Sequence, residues 1–219
     1  MHKAAVALAS AAIAFSVAGC KPKPAANNSA ATQRNAAAPE REQALPREAM
    51  DGRTVLTRAQ VDQALASGTL DRPVHSLLTV DEPLHFGDFV WNDKAIPAGP
   101  TWVRIDLGKQ IMSVFRGPNE IGTAVVVYGG DNKRTPVGKF HILMKDADHR
   151  SSLYDAAMPY TLQLTGDGVS IHGSTVRWGA ATHGCIGLPL EFARRLFEQT
   201  KVGDEVIIVP PSKSGNSTA

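Results

Sequence analysis

Two short segments, Ile-His-Gly at residues 171–173 and Thr-His-Gly-Cys-Ile at residues 182–186, bring two histidines and a cysteine close together in the sequence. Cys185 is one of two cysteines in the chain. A thiolate is a strong nucleophile near neutral pH, and an imidazole can accept the thiol proton. Glycines beside both residue types permit tight turns and leave backbone amides available to an oxyanion. The pattern predicts a nucleophilic cysteine beside a histidine.

A helix is predicted directly after this stretch, from Pro189 to about Thr200. Phe192, Ala193, Leu196 and Phe197 fall on one face at helical spacing. Because the positive end of a helix dipole favours a thiolate, we expect this helix to lower the pKa of Cys185.

Two other interpretations of the same residues are open. A cysteine can be a small buried hydrophobic residue, and a histidine can be structural. His172, His183 and Cys185 could also ligate zinc, although no fourth ligand and no short-spacing signature accompany them.

The stretch resembles the signature of the L,D-transpeptidase catalytic domain, also called the YkuD domain. That signature is His-Gly, a variable loop, and Ser/Thr-His-Gly-Cys followed by an aliphatic residue. Further family-like segments are Ile-Asp-Leu at 105–107, Thr-Pro-Val-Gly-Lys-Phe at 135–140 and Met-Pro-Tyr at 158–160. They occur in family order over residues 101–209.

The resemblance implies a mainly β fold with one or two helices, a YkuD-like β-sandwich or barrel. It implies a cysteine-dependent L,D-transpeptidase that acts on peptidoglycan stem tetrapeptides through a thioester. D-Ala would be released, and the acyl group would pass to an amine, as a 3-3 crosslink or a protein-to-wall link to an anchored protein. No cofactor and no metal are implied.

The resemblance also assigns roles to residues of this chain. Cys185 would be the nucleophile, His172 the general base, and Gly184 would offer its backbone amide, with that of Cys185, to the oxyanion. The candidate substrate contacts are Tyr160, Ser174, His183 and Arg177.

Two features depart from the family pattern. Gly187 stands where the family commonly has arginine, and the loop at residues 174–181 is short. Arg177 in that loop could replace the arginine. Two alternative functions stay open: a hydrolase or carboxypeptidase of peptidoglycan links on the same scaffold, and a catalytically silent wall-binding lipoprotein.

Residues 1–20 resemble a bacterial lipoprotein signal. An apolar run too short to span a bilayer precedes Val-Ala-Gly-Cys at 17–20, which resembles a lipobox with Cys20 as the lipidated residue. An ordinary cleaved signal peptide is the alternative. The residue after the cysteine is Lys21 and not aspartate, which resembles the pattern of lipoproteins sorted to the outer membrane. We therefore expect a lipid-anchored protein on the periplasmic face of the outer membrane.

The rest of the chain divides by composition. Residues 21–49 lack aromatic residues and are predicted to be a disordered linker, and residues 210–219 a disordered tail. Residues 50–100 hold a small helical element and a β lead-in to the catalytic domain. With 23 basic and 21 acidic residues and no basic stripe, the chain does not indicate a nucleic-acid partner.

Overall fold

The computed structural model describes residues 50–130, 133–151 and 155–211. These residues all belong to one of two compact units, Gln43–Ala219. The other unit, Met1–Glu42, lies outside the described residues. The predicted lipobox with Cys20, the linker and most of the tail therefore fall outside them as well. Among the described residues, no helix is both long and apolar enough to cross a membrane.

The described residues form two helices and fourteen strands. In chain order they are β1 (Arg53–Val55), α1 (Arg58–Ala66), β2 (Ser76–Leu78), β3 (Phe89–Trp91), β4 (Thr101–Asp106), β5 (Ile111–Arg116), β6 (Asn119–Val125), β7 (Gly138–His141), β8 (Met144–Asp146), β9 (Arg150–Ser151), β10 (Ala156–Ala157), β11 (Thr161–Gln163), β12 (Ser170–Gly173), β13 (Ile186–Leu188), α2 (Leu190–Gln199) and β14 (Glu205–Val209).

These strands form two main sheets. The larger has the order β1-β2-β6-β5-β4-β14-β7, with β3 also paired to β6. Strand β14 lies between β4, to which it is parallel, and β7, to which it is antiparallel. The smaller sheet has the order β13-β12-β11-β8, and β9 and β10 form a separate hairpin. The mainly β architecture with two helices confirms the expected fold class.

The main hydrophobic core joins the larger sheet, the smaller sheet and α2. Phe192, Ala193 and Leu196 are the buried residues of α2, as their spacing predicted, and Phe197, predicted for the same face, is partly buried against the core. The Phe192 ring meets Phe89 and Trp91 edge-on, with ring centroids 5.6 and 5.3 Å apart. Full burial of one such ring contributes about 1.5–3 kcal/mol, so this contact fixes α2 against the sheets.

Local signals predicted some elements well and others poorly. Thr57 and Gln60, three residues apart, have the spacing of a capping box, and the structure contains it: the Gln60 backbone amide donates to Thr57 Oγ1 at 3.4 Å, and the Thr57 backbone amide donates to Gln60 Oε1 at 2.8 Å. The apolar run at residues 124–128 has the length of a strand, but β6 begins at Asn119 and ends at Val125. The residue Val127 instead makes an isolated bridge to Gly187.

Candidate active site

The two halves of the quoted stretch lie side by side in the smaller sheet. Strands β12 and β13 are parallel, and His172 is paired with Gly187. Ile171 and Ile186 are also paired, and both belong to the main core. Because side chains alternate along a strand, His172 and Cys185, which directly precedes β13, project from the opposite face. The fold therefore brings the predicted nucleophile and base to one face of the sheet.

His172 is buried and its ring is held by the backbone. Its Nδ1 lies 2.9 Å from the Gly173 carbonyl oxygen, which can only accept a hydrogen bond. Nδ1 therefore carries the proton, and Nε2 is left as the basic nitrogen. Burial lowers the pKa of His172, the Gly173 carbonyl opposes that shift, and His149 adds to it.

Cys185 is a half-buried free cysteine. Burial raises the pKa of its thiol, and the charge of Asp167 adds to this effect. A hydrogen bond from the Ser170 backbone and the charge of Lys133 oppose it, lowering the pKa. The Sγ atom donates to the Gly168 carbonyl oxygen at 3.7 Å.

These shifts correct the expectation for the thiol. The expected lowering of the Cys185 pKa is wrong, because burial has the largest effect on this thiol and raises its pKa. The pKa of the Cys185 thiol is raised and that of His172 is lowered. Both directions favour the uncharged forms of the two groups.

Thr135 supports the loop that carries the nucleophile. Its buried hydroxyl accepts a hydrogen bond from the Gly129 amide at 2.9 Å and donates one to the Gly184 carbonyl at 2.9 Å. Thr182 adds a second support, since its hydroxyl donates to the Cys185 carbonyl. Thr135 begins the family-like segment at residues 135–140, but its sequence context alone does not identify it as a site residue.

Gly184 has a backbone conformation that favours glycine, with φ of +98°. Its carbonyl is bound by Thr135, which fixes the peptide plane. Within residues 50–130, 133–151 and 155–211, neither the Gly184 nor the Cys185 amide donates a hydrogen bond to another residue. Two adjacent amides in this state can bind a developing oxyanion.

Residues 100–208 match the family model of the YkuD L,D-transpeptidase catalytic domain. This domain belongs to the YkuD family. No curated protein matches the chain.

Several solved structures are similar to the YkuD domain in fold. An L,D-transpeptidase from Stackebrandtia nassauensis is 24% identical over 52% of this chain and 57% of its own, with a TM-score of 0.47. One from Mycobacterium tuberculosis H37Rv is 23% identical over 50% of this chain and 57% of its own, with a TM-score of 0.46. One from Mycobacterium smegmatis is 19% identical over 56% of this chain and 76% of its own, with a TM-score of 0.47. The chain thus spans less than two thirds of the first two proteins.

Gly187 of this YkuD domain is closely packed. A Cβ atom there would lie 2.7 Å from Val127 Cγ2 and 3.0 Å from Ser174 Cβ. Neither Val127, which is buried, nor Ser174, whose amide is bound to the Leu188 carbonyl at 2.8 Å, can withdraw without local rearrangement. The Cβ atom of the arginine that the family commonly has at this position would therefore collide with Val127 and Ser174.

The short loop at residues 174–181 is anchored at one point and exposed at another. Val176 is buried in a small cluster with Val125 and Val127. The loop then turns, with the Ala180 amide donating to the Arg177 carbonyl at 3.1 Å. Arg177 is exposed on this turn. Its predicted role as a replacement for the family arginine stays a prediction.

Three further predicted contacts differ in their surroundings. Ser174 lies beside Gly187, near the paired strands of the site. His183 is exposed in the nucleophile loop. Tyr160 is half-buried against the main core, and its ring lies 5.9 Å from that of Phe197 on α2. This packing gives Tyr160 a structural role, and contact of any of the three with substrate stays a prediction.

The zinc alternative required His172, His183 and Cys185 to converge. Among the described residues, no group of three or more His, Cys, Asp or Glu side chains is arranged to hold a metal ion.

Proposed function

We propose that the chain is a cysteine-dependent L,D-transpeptidase that acts on the tetrapeptide stems of peptidoglycan. The observation that carries the proposal is the shared face of β12 and β13, from which His172 and Cys185 both project. The Gly173 carbonyl holds Nδ1 and leaves Nε2 as a base. The match to the YkuD family supports the same chemistry.

In the acylation step, His172 Nε2 takes the proton of the Cys185 thiol as Sγ attacks the carbonyl carbon of the third stem residue. The carbonyl π electrons move to oxygen, and the amides of Gly184 and Cys185 donate to the oxyanion. One such donor typically contributes about 2.7–4 kcal/mol. The tetrahedral adduct collapses, the C–N bond breaks, and protonated His172 gives its proton to the departing D-Ala amine.

In the second step, the thioester is transferred to an acceptor. An amine on a neighbouring stem, or on an anchored protein, attacks the thioester carbonyl while His172 takes the amine's proton. The C–S bond then breaks, and the Cys185 thiolate recovers a proton from His172. Water in place of the amine would give hydrolysis, so control of the acceptor decides between the two outcomes.

The setting of this activity is part of the same proposal. Peptidoglycan is the proposed partner, and a lipid on Cys20 would tether the domain to the periplasmic face of an outer membrane. Mutation of Cys20 to Ser, followed by fractionation of cells, tests the anchor. The protein should move from the membrane fraction to the soluble fraction, and an unchanged distribution would contradict the anchor.

Intact-mass measurement of the full chain after exposure to a carbapenem tests whether the Cys185 thiol is reactive. A mass increase of one inhibitor per chain is expected, because a strained acyl donor should trap the nucleophile as an adduct. The Cys185→Ala variant is the control and should show no increase. Absence of an adduct on the unmodified chain would favour the silent wall-binding alternative.

Incubation with purified muropeptides separates transfer from hydrolysis. A transpeptidase should release D-Ala and form crosslinked dimers from tetrapeptide monomers. Accumulation of monomers from crosslinked material would contradict transfer and support the hydrolase. The His172→Ala variant should retain its fold and lose both reactions, since the thiol then lacks its base.

A further inference from the structure

The side chain of Lys133 lies along Gly184, the residue that precedes the predicted nucleophile. Its Cγ, Cδ and Cε atoms lie 3.4, 3.5 and 3.5 Å from the position of a Cβ on Gly184. Gly129 permits this close approach, because a Cβ there would lie 2.2 Å from the Lys133 carbonyl oxygen and 2.8 Å from the Gly184 nitrogen. The side chain of Lys133 is therefore held against the nucleophile loop.

The Lys133 ammonium has a weak partner beside the thiol. Its Nζ lies 4.0 Å from Asp167 Oδ2, and the two side chains are 40% and 69% exposed. An exposed pair at this distance contributes little to stability, so the ammonium can exchange its partner at little cost. Asp167 directly precedes Gly168, whose carbonyl accepts from the Cys185 thiol. The charge of the ammonium also acts on the thiol, because it lowers the pKa of Cys185.

We propose that Lys133 binds the terminal carboxylate of the acyl donor and selects stems that end one residue after the cleaved bond. The inference rests on the proposed function, which supplies such a donor. In a tetrapeptide the carboxylate of the leaving D-Ala lies about 4 Å from the attacked carbonyl carbon. A carbonyl held over Sγ therefore brings that carboxylate close to the backbone of Gly184, where Lys133 lies.

The chemistry gives Lys133 a defined selectivity. Ammonium–carboxylate hydrogen bonds are stronger than those between neutral groups, so a donor with a free terminal carboxylate is favoured. A carboxamide at the same place removes the charge, and a fifth residue moves the carboxylate about 3.5 Å further away. Departure of D-Ala carries the carboxylate away and returns Lys133 to Asp167. Gly187 supplies no side chain to share this role.

The test compares two donors, a stem tetrapeptide with a free terminal carboxylate and the same peptide with a terminal carboxamide. The value of kcat/KM is measured for each from the released D-Ala or D-Ala amide. Lys133→Met keeps the methylene contact with Gly184 and removes the charge, and Lys133→Arg keeps the charge. A change in thiol reactivity affects both donors equally, so the ratio of the two values isolates recognition of the carboxylate.

We expect the unmodified chain to prefer the acid by about ten- to a hundredfold, the range of one hydrogen bond to a charged group. The preference should fall towards one in Lys133→Met and persist in Lys133→Arg. An unchanged preference in Lys133→Met, with D-Ala still released, overturns the inference alone. Failure of the unmodified chain to release product from either donor overturns the proposed function, and this inference with it.

Discussion

Replacement of Thr135 by Val tests the support of the nucleophile loop. The two side chains have nearly the same shape, so the change removes the hydroxyl and leaves the packing. The buried Gly129 amide and Gly184 carbonyl both lose their partner. An unsatisfied buried group costs about 1–3 kcal/mol, so the free energy of unfolding should fall by about 2–6 kcal/mol.

The same change should slow acylation of Cys185. The hydrogen bond from Thr135 fixes the peptide that places both the sulfur and the Gly184 amide. A loss of 1.36 kcal/mol of transition-state stabilisation is a tenfold loss of rate, and we expect at least about this decrease. Denaturant unfolding measures the first effect, and the rate of carbapenem adduct formation by intact mass measures the second.

Thr135→Ser is the matched control. Serine keeps the hydroxyl and loses one methyl group, at a cost of about 1 kcal/mol in stability. Its acylation rate should stay close to that of the unmodified chain. If Thr135→Val unfolds at the same denaturant concentration and is acylated as fast as Thr135→Ser, the proposed support of the loop is refuted.

Three other predictions concern packing and titration. Gly187→Ala should lower the free energy of unfolding by about 1–3 kcal/mol and should cost less in a Val127→Ala background, because the clash is with Val127; equal costs in a double-mutant cycle would contradict this. Because burial raises the pKa of Cys185, its alkylation by iodoacetamide should keep accelerating above pH 8.5, the usual thiol value; a plateau below pH 6 would indicate a preformed ion pair. Burial also raises the pKa of Glu120 in the folded protein. The protonated side chain therefore stabilises the fold below the pKa of the unfolded chain, near 4.3, and this contribution is lost as the pH rises through the pKa of the folded protein. Denaturant melts should therefore show Glu120→Gln gaining stability over the unmodified chain between pH 4 and pH 8, and a constant difference would be inconsistent with this sign.

His172 and Cys185 could be singled out from the sequence because their residue types are rare and their flanks are specific. Cys185 and His172 were chosen from chemistry and from the family-like motif, and the fold brings them to one face. The buried face of α2 was predicted for a different reason. A ten-residue helix repeats its apolar spacing often enough for Phe192 and Leu196 to be recognised.

The parts that escaped prediction are short or depend on distant contacts. Strand β13 has three residues with a glycine at its centre, too few for alternation to be recognised, and the burial that raises the pKa of Cys185 depends on the folded chain around it. The hydrogen bond from Thr135 to Gly184 joins residues 49 positions apart. The contact of Lys133 with Gly184 likewise depends on the close approach that Gly129 permits. Such contacts exist only once the fold is formed.

The position of β14 has a consequence for how the domain is made. This strand lies inside the larger sheet, between β4 and β7, although it follows β4 by about 100 residues in the chain. A polypeptide emerging from the ribosome would leave the edges of β4 and β7 unpaired until residue 209 had been synthesised. Closing so large a loop makes folding slow, and exposed edges attract other chains. Newly made protein should therefore depend on chaperones that shield these edges until synthesis is complete.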